Sequence, residues 1–202
     1  MNAYNKNKPI TIVNNKFKTY LIGSMEAPSK EDGGVGWRQQ MTPELNKRGV
    51  YCFDPTREEI KKVGCSSAEL VKKIKGWKRG GSWHHFIDAM SKIWKGVSYL
   101  TEGEEAQAVH ILGDVDYVEH SDFLIWNYDE GDRLGGTIAE LVIAWYRGIP
   151  VYLITKAKIS EMNSSILYFL LSSGNQFGNK IFKSQKDFMK FFDQSYAKQI
   201  DW

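Results

Sequence analysis

Apolar residues along this chain gather into short runs separated by segments of helical period. Phe17 to Gly23, Val50 to Phe53, Asp122 to Asn127, Pro150 to Thr155 and Lys180 to Lys183 are rich in aromatic and β-branched residues, and turn residues bound them. That pattern predicts strands. Between them, apolar positions recur at helical spacing over Trp37 to Lys47, Thr56 to Lys62, Ser66 to Lys75, Ser82 to Trp94, a segment opening near Gly136, Ile159 to Ser172 and Ser184 to Lys198. Pro43 predicts a break in the first of these, with Thr42 capping a second piece. A weaker helical segment follows Thr101.

Strands that alternate with helices predict a doubly wound α/β fold around a five-stranded parallel sheet, Rossmann-like in the flavodoxin-type order 2-1-3-4-5. Residues 1–16 read as a polar tail and 17–202 as a single domain. Residues 56–112 are more chain than one crossover needs, so a helical elaboration that could wall the site is expected between strands 2 and 3. The Gly-rich stretch Met25 to Gly36 is long for a strand-to-helix turn and is a candidate lid or recognition loop.

The organising stretch is Asp114 to Thr155: an approach segment, a buried strand, a loop rich in Gly and Asp, a helix and a second buried strand. In such a unit the loop after the first strand and the first helical turn lie at the carboxyl edge of the sheet, where open α/β folds bind ligands. Asn127, Asp129, Asp132, Gly136, Thr137 and Glu140 fall there. Asp129 and Asp132 could hydrogen-bond sugar hydroxyls, Asn127 could touch ligand or cap the loop, and Arg133 could meet a phosphate; a solvated loop explains the same residues.

Composition narrows the class. A chain of 202 residues, 42% hydrophobic, supports one sizeable core, and seven Trp suit dense packing or a site that stacks flat rings. The net charge of +3 is dispersed. Its densest basic run, Lys72 to Arg79, is explained by a solvated helix face, so a nucleic-acid polymer is not expected. Cys52 and Cys65 show no metal-ligand spacing, and no apolar run reaches membrane-spanning length, so a soluble, cytoplasmic protein with no membrane association is expected. His84 and His85 are adjacent on a helix, the wrong spacing for a shared metal.

Glu140 stands out because a carboxylate in the first turn of a helix is held ionised by the helix dipole and can act as a nucleophile. Thr137 to Glu140 also matches a capping box, in which the Glu bonds back to the Thr amide. The helix alone leaves both open.

Three motifs occur in order: Tyr20-Leu21-Ile22-Gly23-Ser24 on the first strand, Asp114 followed by Asp122 and a hydrophobic strand, and Gly136-Thr137-x-x-Glu140-x-x-x-Ala144 at a helix start. Together, from about Phe17 to Thr155, they resemble the nucleoside 2-deoxyribosyltransferase superfamily, including the 2'-deoxynucleoside 5'-phosphate N-hydrolases. The resemblance implies that Glu140 attacks the anomeric carbon, Tyr20 steadies that carboxylate, Asp114 handles the proton of the departing base, and Gly23 and Ser24 line the sugar or phosphate pocket. Cleavage of a C1'–N bond develops oxocarbenium character, which a carboxylate on one face and an acid near the base suit, with no metal or cofactor required. Trp37 and Arg38 could stack on the base or bind phosphate, or serve packing.

The expected activity is therefore cleavage or transfer of the N-glycosidic bond of a small nucleoside or nucleotide through a glycosyl–Glu140 intermediate. The alternative is a non-catalytic nucleotide-binding or sensing module that kept the same pocket. A weaker third option is a partner-binding protein that uses an aromatic surface. The resemblance also implies a homo-oligomer, with the apolar helix Ile138 to Trp145 and the C-terminal Phe188, Phe191 and Phe192 as candidate interface, or as packing on the sheet.

Overall fold

The computed structural model describes residues 17–24, 34–96, 112–175 and 180–196. The tail, most of the expected lid and the segment after Thr101 lie outside them. Five strands, β1 (Phe17–Ile22), β2 (Val50–Phe53), β3 (Phe123–Tyr128), β4 (Val151–Thr155) and β5 (Ile181–Phe182), pair in parallel in the order β2-β1-β3-β4-β5. This is the predicted doubly wound sheet. The helices are α1 (Val35–Asn46), α2 (Pro55–Val63), α3 (Ser67–Gly80), α4 (Trp83–Lys95), α5 (Asp114–Glu119), α6 (Gly135–Tyr146), α7 (Ser164–Ser172) and α8 (Gln185–Ser195).

The central strands are apolar on both faces because both faces are covered. Alternate residues sort to opposite sides. Leu21, Phe123, Ile125, Tyr152 and Ile154 pack with Met41 and Leu45 of α1 and with Phe188 and Phe192 of α8. Tyr20, Ile22, Leu124, Trp126 and Leu153 pack with Tyr117 and Val118 of α5, Leu141 and Ala144 of α6, and Leu170 of α7. Phe188 and Phe192 are thus core residues, and of the two uses expected for them, packing on the sheet is the one observed. The helices between β2 and β3 have a small core of their own, built on Cys65, Leu70, Ile74 and Ile93.

Several expected boundaries move. Pro43 does not break α1, which runs through it. Pro43 removes one bond of the ladder, the one an N–H there would give to the Gln39 carbonyl, while Met41 and Leu45 on either side are buried and hold the helix to the sheet. The segment Ile159 to Ser172 divides at Asn163, whose side chain accepts from the Ser165 and Ile166 amides and caps α7. The approach segment before β3 is helical. It is α5, opened at Gly113, whose amide donates to Asp116 at 2.8 Å.

Candidate active site

At the carboxyl edge, the ends of β1 and β3 diverge toward helices on opposite sides, the switch point at which such sheets bind ligands. Gly23 sits in this gap with a φ of 150°, and a Cβ placed on it would come 2.8 Å from the Asn127 carbonyl oxygen. Only glycine lets the two strand ends approach this closely. A cavity of about 310 Å³ opens here, lined on the sheet side by Gly23, Ser24, Asp114, Gly136, Thr137 and Glu140.

The motif residues taken from distant parts of the chain therefore share one wall. Asp114 and Glu140 are both buried. Ser24 is 4% exposed, and its hydroxyl has no hydrogen-bond partner among the described residues. A buried hydroxyl facing a cavity without a partner is a natural contact for a polar ligand.

Asp114 is the first residue of α5, and its Oδ1 accepts from the Lys62 Nζ at 3.0 Å. Lys62 comes from α2, donates also to the Ile93 carbonyl at 3.2 Å, and lies over the Tyr117 ring at 4.6 Å from its centroid. Burial pushes the Asp114 carboxyl above the usual carboxylate range, opposed by the Lys62 ammonium, then the Tyr20 hydroxyl and the Arg38 guanidinium. Tyr20 thus acts on the proposed proton handler. Gly113 fixes this end of the site as Gly23 fixes the other: a Cβ there would fall 2.2 Å from the Trp94 carbonyl oxygen, so α5 is seated directly on the end of α4.

Glu140 lies in the second turn of α6 and not in the first, because the helix already starts at Gly135. The dipole effect is confined to the terminal turn, so what bears on this carboxylate is burial and neighbours. The capping box does not form either: Leu134 is the N-cap, and no side chain caps the helix. With the helix beginning one turn early, Thr137 is inside it and cannot serve as its cap.

Other expected ligand residues turn away from the cavity. Arg38 is fully buried and donates to three carbonyls, Leu21 at 3.1 Å, Gly34 at 2.7 Å and Gly23 at 3.1 Å. It holds the strand-end loop in place, which leaves its guanidinium facing the protein and not a phosphate. Trp37 packs against the α1 side of the core, with the Arg38 guanidinium 4.7 Å from its ring centroid. Asp132 accepts from the Asp129 amide at 3.0 Å and so closes its own loop, while Asp129 is exposed. Asn127 contributes its backbone to the contact with Gly23, and its side chain is half-buried outside the cavity lining.

The opposite wall comes from α3 and α4: Leu70, Val71, Ile74 and Lys78 from the first, Met90, Ile93 and Trp94 from the second. Trp94 reaches across to Gly136, whose Cβ would touch its ring at 3.5 Å. Ser66 and Glu69 form a capping box that starts α3 in register. Sequence pattern marked these helices as amphipathic but not which apolar stripe faces the site. Lys62 and Lys78 carried no distinguishing signal, Lys78 being one cation of the basic run Lys72 to Arg79. Among the described residues no three of His, Cys, Asp and Glu are grouped to hold a metal ion, and no helix is long and apolar enough to cross a membrane.

Fold and site together define a doubly wound α/β protein with a mostly apolar cavity at its switch point and two buried carboxylates in the wall. No family model and no curated protein sequence matches the chain. Among solved structures it is similar to the 2-deoxyribosyltransferase of the psychrotolerant bacterium Bacillus psychrosaccharolyticus, with a TM-score of 0.49 and 16% identity over 90% of this chain and 94% of that one. It is also similar to a CMP N-glycosidase of Clostridium botulinum, with a TM-score of 0.42 and 13% identity over 87% of this chain and 98% of that one.

Proposed function

We propose that this protein cleaves or transfers the N-glycosidic bond of a nucleoside or nucleotide. The observation that carries the proposal is the convergence of Asp114 and Glu140, buried and borne on separate helices, on one cavity beside the end of β1. Glu140 attacks the anomeric carbon; the C1'–N bond breaks, and its electron pair leaves with the base. Asp114, held above the ordinary carboxylate range by burial, carries the proton that the departing base takes up. Lys62 fixes the Asp114 carboxyl group through Oδ1, and Tyr20 orders the same corner. The partner-free Ser24 hydroxyl meets the sugar, Gly23, Gly136 and Thr137 shape the pocket around it, and the wall from α3 and α4 shields the glycosyl–enzyme bond from bulk water.

Glu140→Gln tests this directly. Base release followed by chromatography over a panel of deoxynucleosides and their monophosphates should fall by at least about a thousandfold. Release at the wild-type rate removes Glu140 as nucleophile. An exchanged nucleoside formed on addition of a second free base identifies a transferase, and free sugar a hydrolase. Calorimetric binding with no turnover by the wild-type protein would instead establish the sensing module. The proposal includes a homo-oligomer, which light scattering at several protein concentrations tests.

A further inference from the structure

We infer that the helical elaboration between β2 and β3 does more than wall the cavity: through Lys62 it supplies the counter-ion of the acid, and Lys62, a positioning residue acting through Asp114, decides which leaving groups the site releases. This rests on the reaction proposed above, in which Asp114 gives the departing base its proton. Lys62 lies outside the cavity lining, behind the wall. Its buried side chain joins three helices: it is carried by α2, donates to the Ile93 carbonyl of α4 at 3.2 Å, and donates to Oδ1 of Asp114, the first residue of α5, at 3.0 Å. The Tyr117 ring covers the ammonium, its centroid 4.6 Å from Nζ.

A buried ion pair is seldom more stabilising than apolar side chains of the same size, so packing gives no reason for a lysine at this position. Proton transfer does. As Glu140 bonds to C1' and the C1'–N bond breaks, the electron pair moves to the base nitrogen, a proton passes from Asp114 to the base, and the carboxyl becomes a carboxylate. With Oδ1 engaged by Lys62, Oδ2 bears that proton. The new negative charge forms at hydrogen-bond distance from an ammonium in surroundings that screen little, so the pair is strongest once the proton has gone. When water or a second base attacks C1' and displaces Glu140, it returns a proton to the same carboxylate. Burial alone would make Asp114 a weak acid; Lys62 is the largest of the influences that oppose it, ahead of Tyr20 of β1 and Arg38 of α1. Glu140 of α6 lines the same cavity, and Glu58 of α2 accepts from the hydroxyl of Tyr117, on Asp114's own helix, at 3.2 Å; both are acidic and sharpen the need for a cation here.

The leaving group separates this role from a structural one. An ordinary base departs as an anion unless it is protonated, whereas 7-methylguanine and nicotinamide depart from their cationic deoxyribosides as neutral molecules and need no proton. The probes are the common 2'-deoxynucleosides, 7-methyl-2'-deoxyguanosine and the 2-deoxyriboside of nicotinamide, each also as its 5'-monophosphate, with spontaneous loss subtracted. Lys62→Met should lower kcat/KM on the ordinary substrates about a hundredfold and raise the ratio of cationic to ordinary turnover at least about thirtyfold, and Asp114→Asn should raise that ratio likewise. The limb on which ordinary turnover falls with rising pH should move upward by about one pH unit or more in Lys62→Met, because the cation that favours the ionised carboxyl is gone, and Lys62→Arg should restore both rate and limb. If Lys62→Met is unfolded by circular dichroism, Lys62→Gln is held to the same results. Equal losses on cationic and ordinary substrates, or an unmoved limb, make Lys62 a structural residue and overturn this inference while the proposed reaction stands; where neither cationic probe is accepted, the limb decides. An unchanged ratio in Asp114→Asn removes Asp114 as the acid and this role of Lys62 with it. If the wild-type protein consumes no probe, the proposed reaction falls as well.

Discussion

Replacing Lys62 with Met removes the cation from the buried pair and leaves the Asp114 carboxyl among apolar neighbours. Both side chains of the pair are almost wholly inaccessible, at 0% and 6%, and their N–O separation is 3.0 Å. Breaking a buried pair by removing one partner costs about 3–5 kcal/mol, because an uncompensated charge remains. The lost contact with the Tyr117 ring adds about 1 kcal/mol at most once the Met stem refills part of the space. The expected loss at about pH 7 is therefore about 3–6 kcal/mol, measured by urea unfolding with the slope held common.

The pH dependence has a definite sign. With Lys62 gone, only burial and weaker neighbours act on Asp114, so its folded pKa rises further above the unfolded value of about 4. A carboxyl with a raised folded pKa binds more protons folded than unfolded, so stability declines as pH rises from that value through the raised one. The deficit of the variant should accordingly shrink as pH is lowered from about 7 toward about 5. Adding Asp114→Asn should recover much of the loss, since the buried charge is then absent. A Lys62→Met protein within about 0.5 kcal/mol of wild type across this range would refute the account of the pair.

Other perturbations follow from single contacts. Gly23→Ala forces a Cβ to 2.8 Å from the Asn127 oxygen at a φ that side chains avoid, so a loss of about 1–3 kcal/mol is expected in thermal unfolding; no loss would mean the strand ends part freely. Arg38→Met removes the three donations to the carbonyls of Leu21, Gly34 and Gly23 and should cost about 2–5 kcal/mol, with ligand binding weakened because the Gly23–Ser24 end of the site loosens. Burial pushes the Cys52 thiol up to about 12, so the native protein at about pH 9 should leave it unmodified by iodoacetamide while unfolded protein is labelled, by mass spectrometry of the Cys52 peptide.

Much of the architecture is legible in the chain because it depends on local pattern. Parallel central strands buried on both faces must be apolar throughout, and FLIW in β3 and VYLI in β4 could hardly be anything else. Alternation of such strands with helices leads to the doubly wound sheet, and that topology leads to its carboxyl edge before any side chain is placed. The motif residues Gly23, Ser24, Asp114, Gly136, Thr137 and Glu140 line one cavity there.

Tertiary structure decided everything that depends on which surface meets which. Arg38 and Asp132 have the polarity of ligand residues, yet one is enclosed by the carbonyls of its own strand-end loop and the other by its own turn. Glu140 moved from the first helical turn to the second because α6 begins at Gly135, a choice the residue pattern leaves open. Lys62 is 52 positions from Asp114, and no local periodicity links a lysine in one helix to the first residue of another. The same holds for the wall: amphipathic spacing shows that α3 and α4 have apolar faces, but only their packing onto α5, through a glycine pressed against Trp94, turns Leu70, Ile74 and Lys78 toward two buried carboxylates.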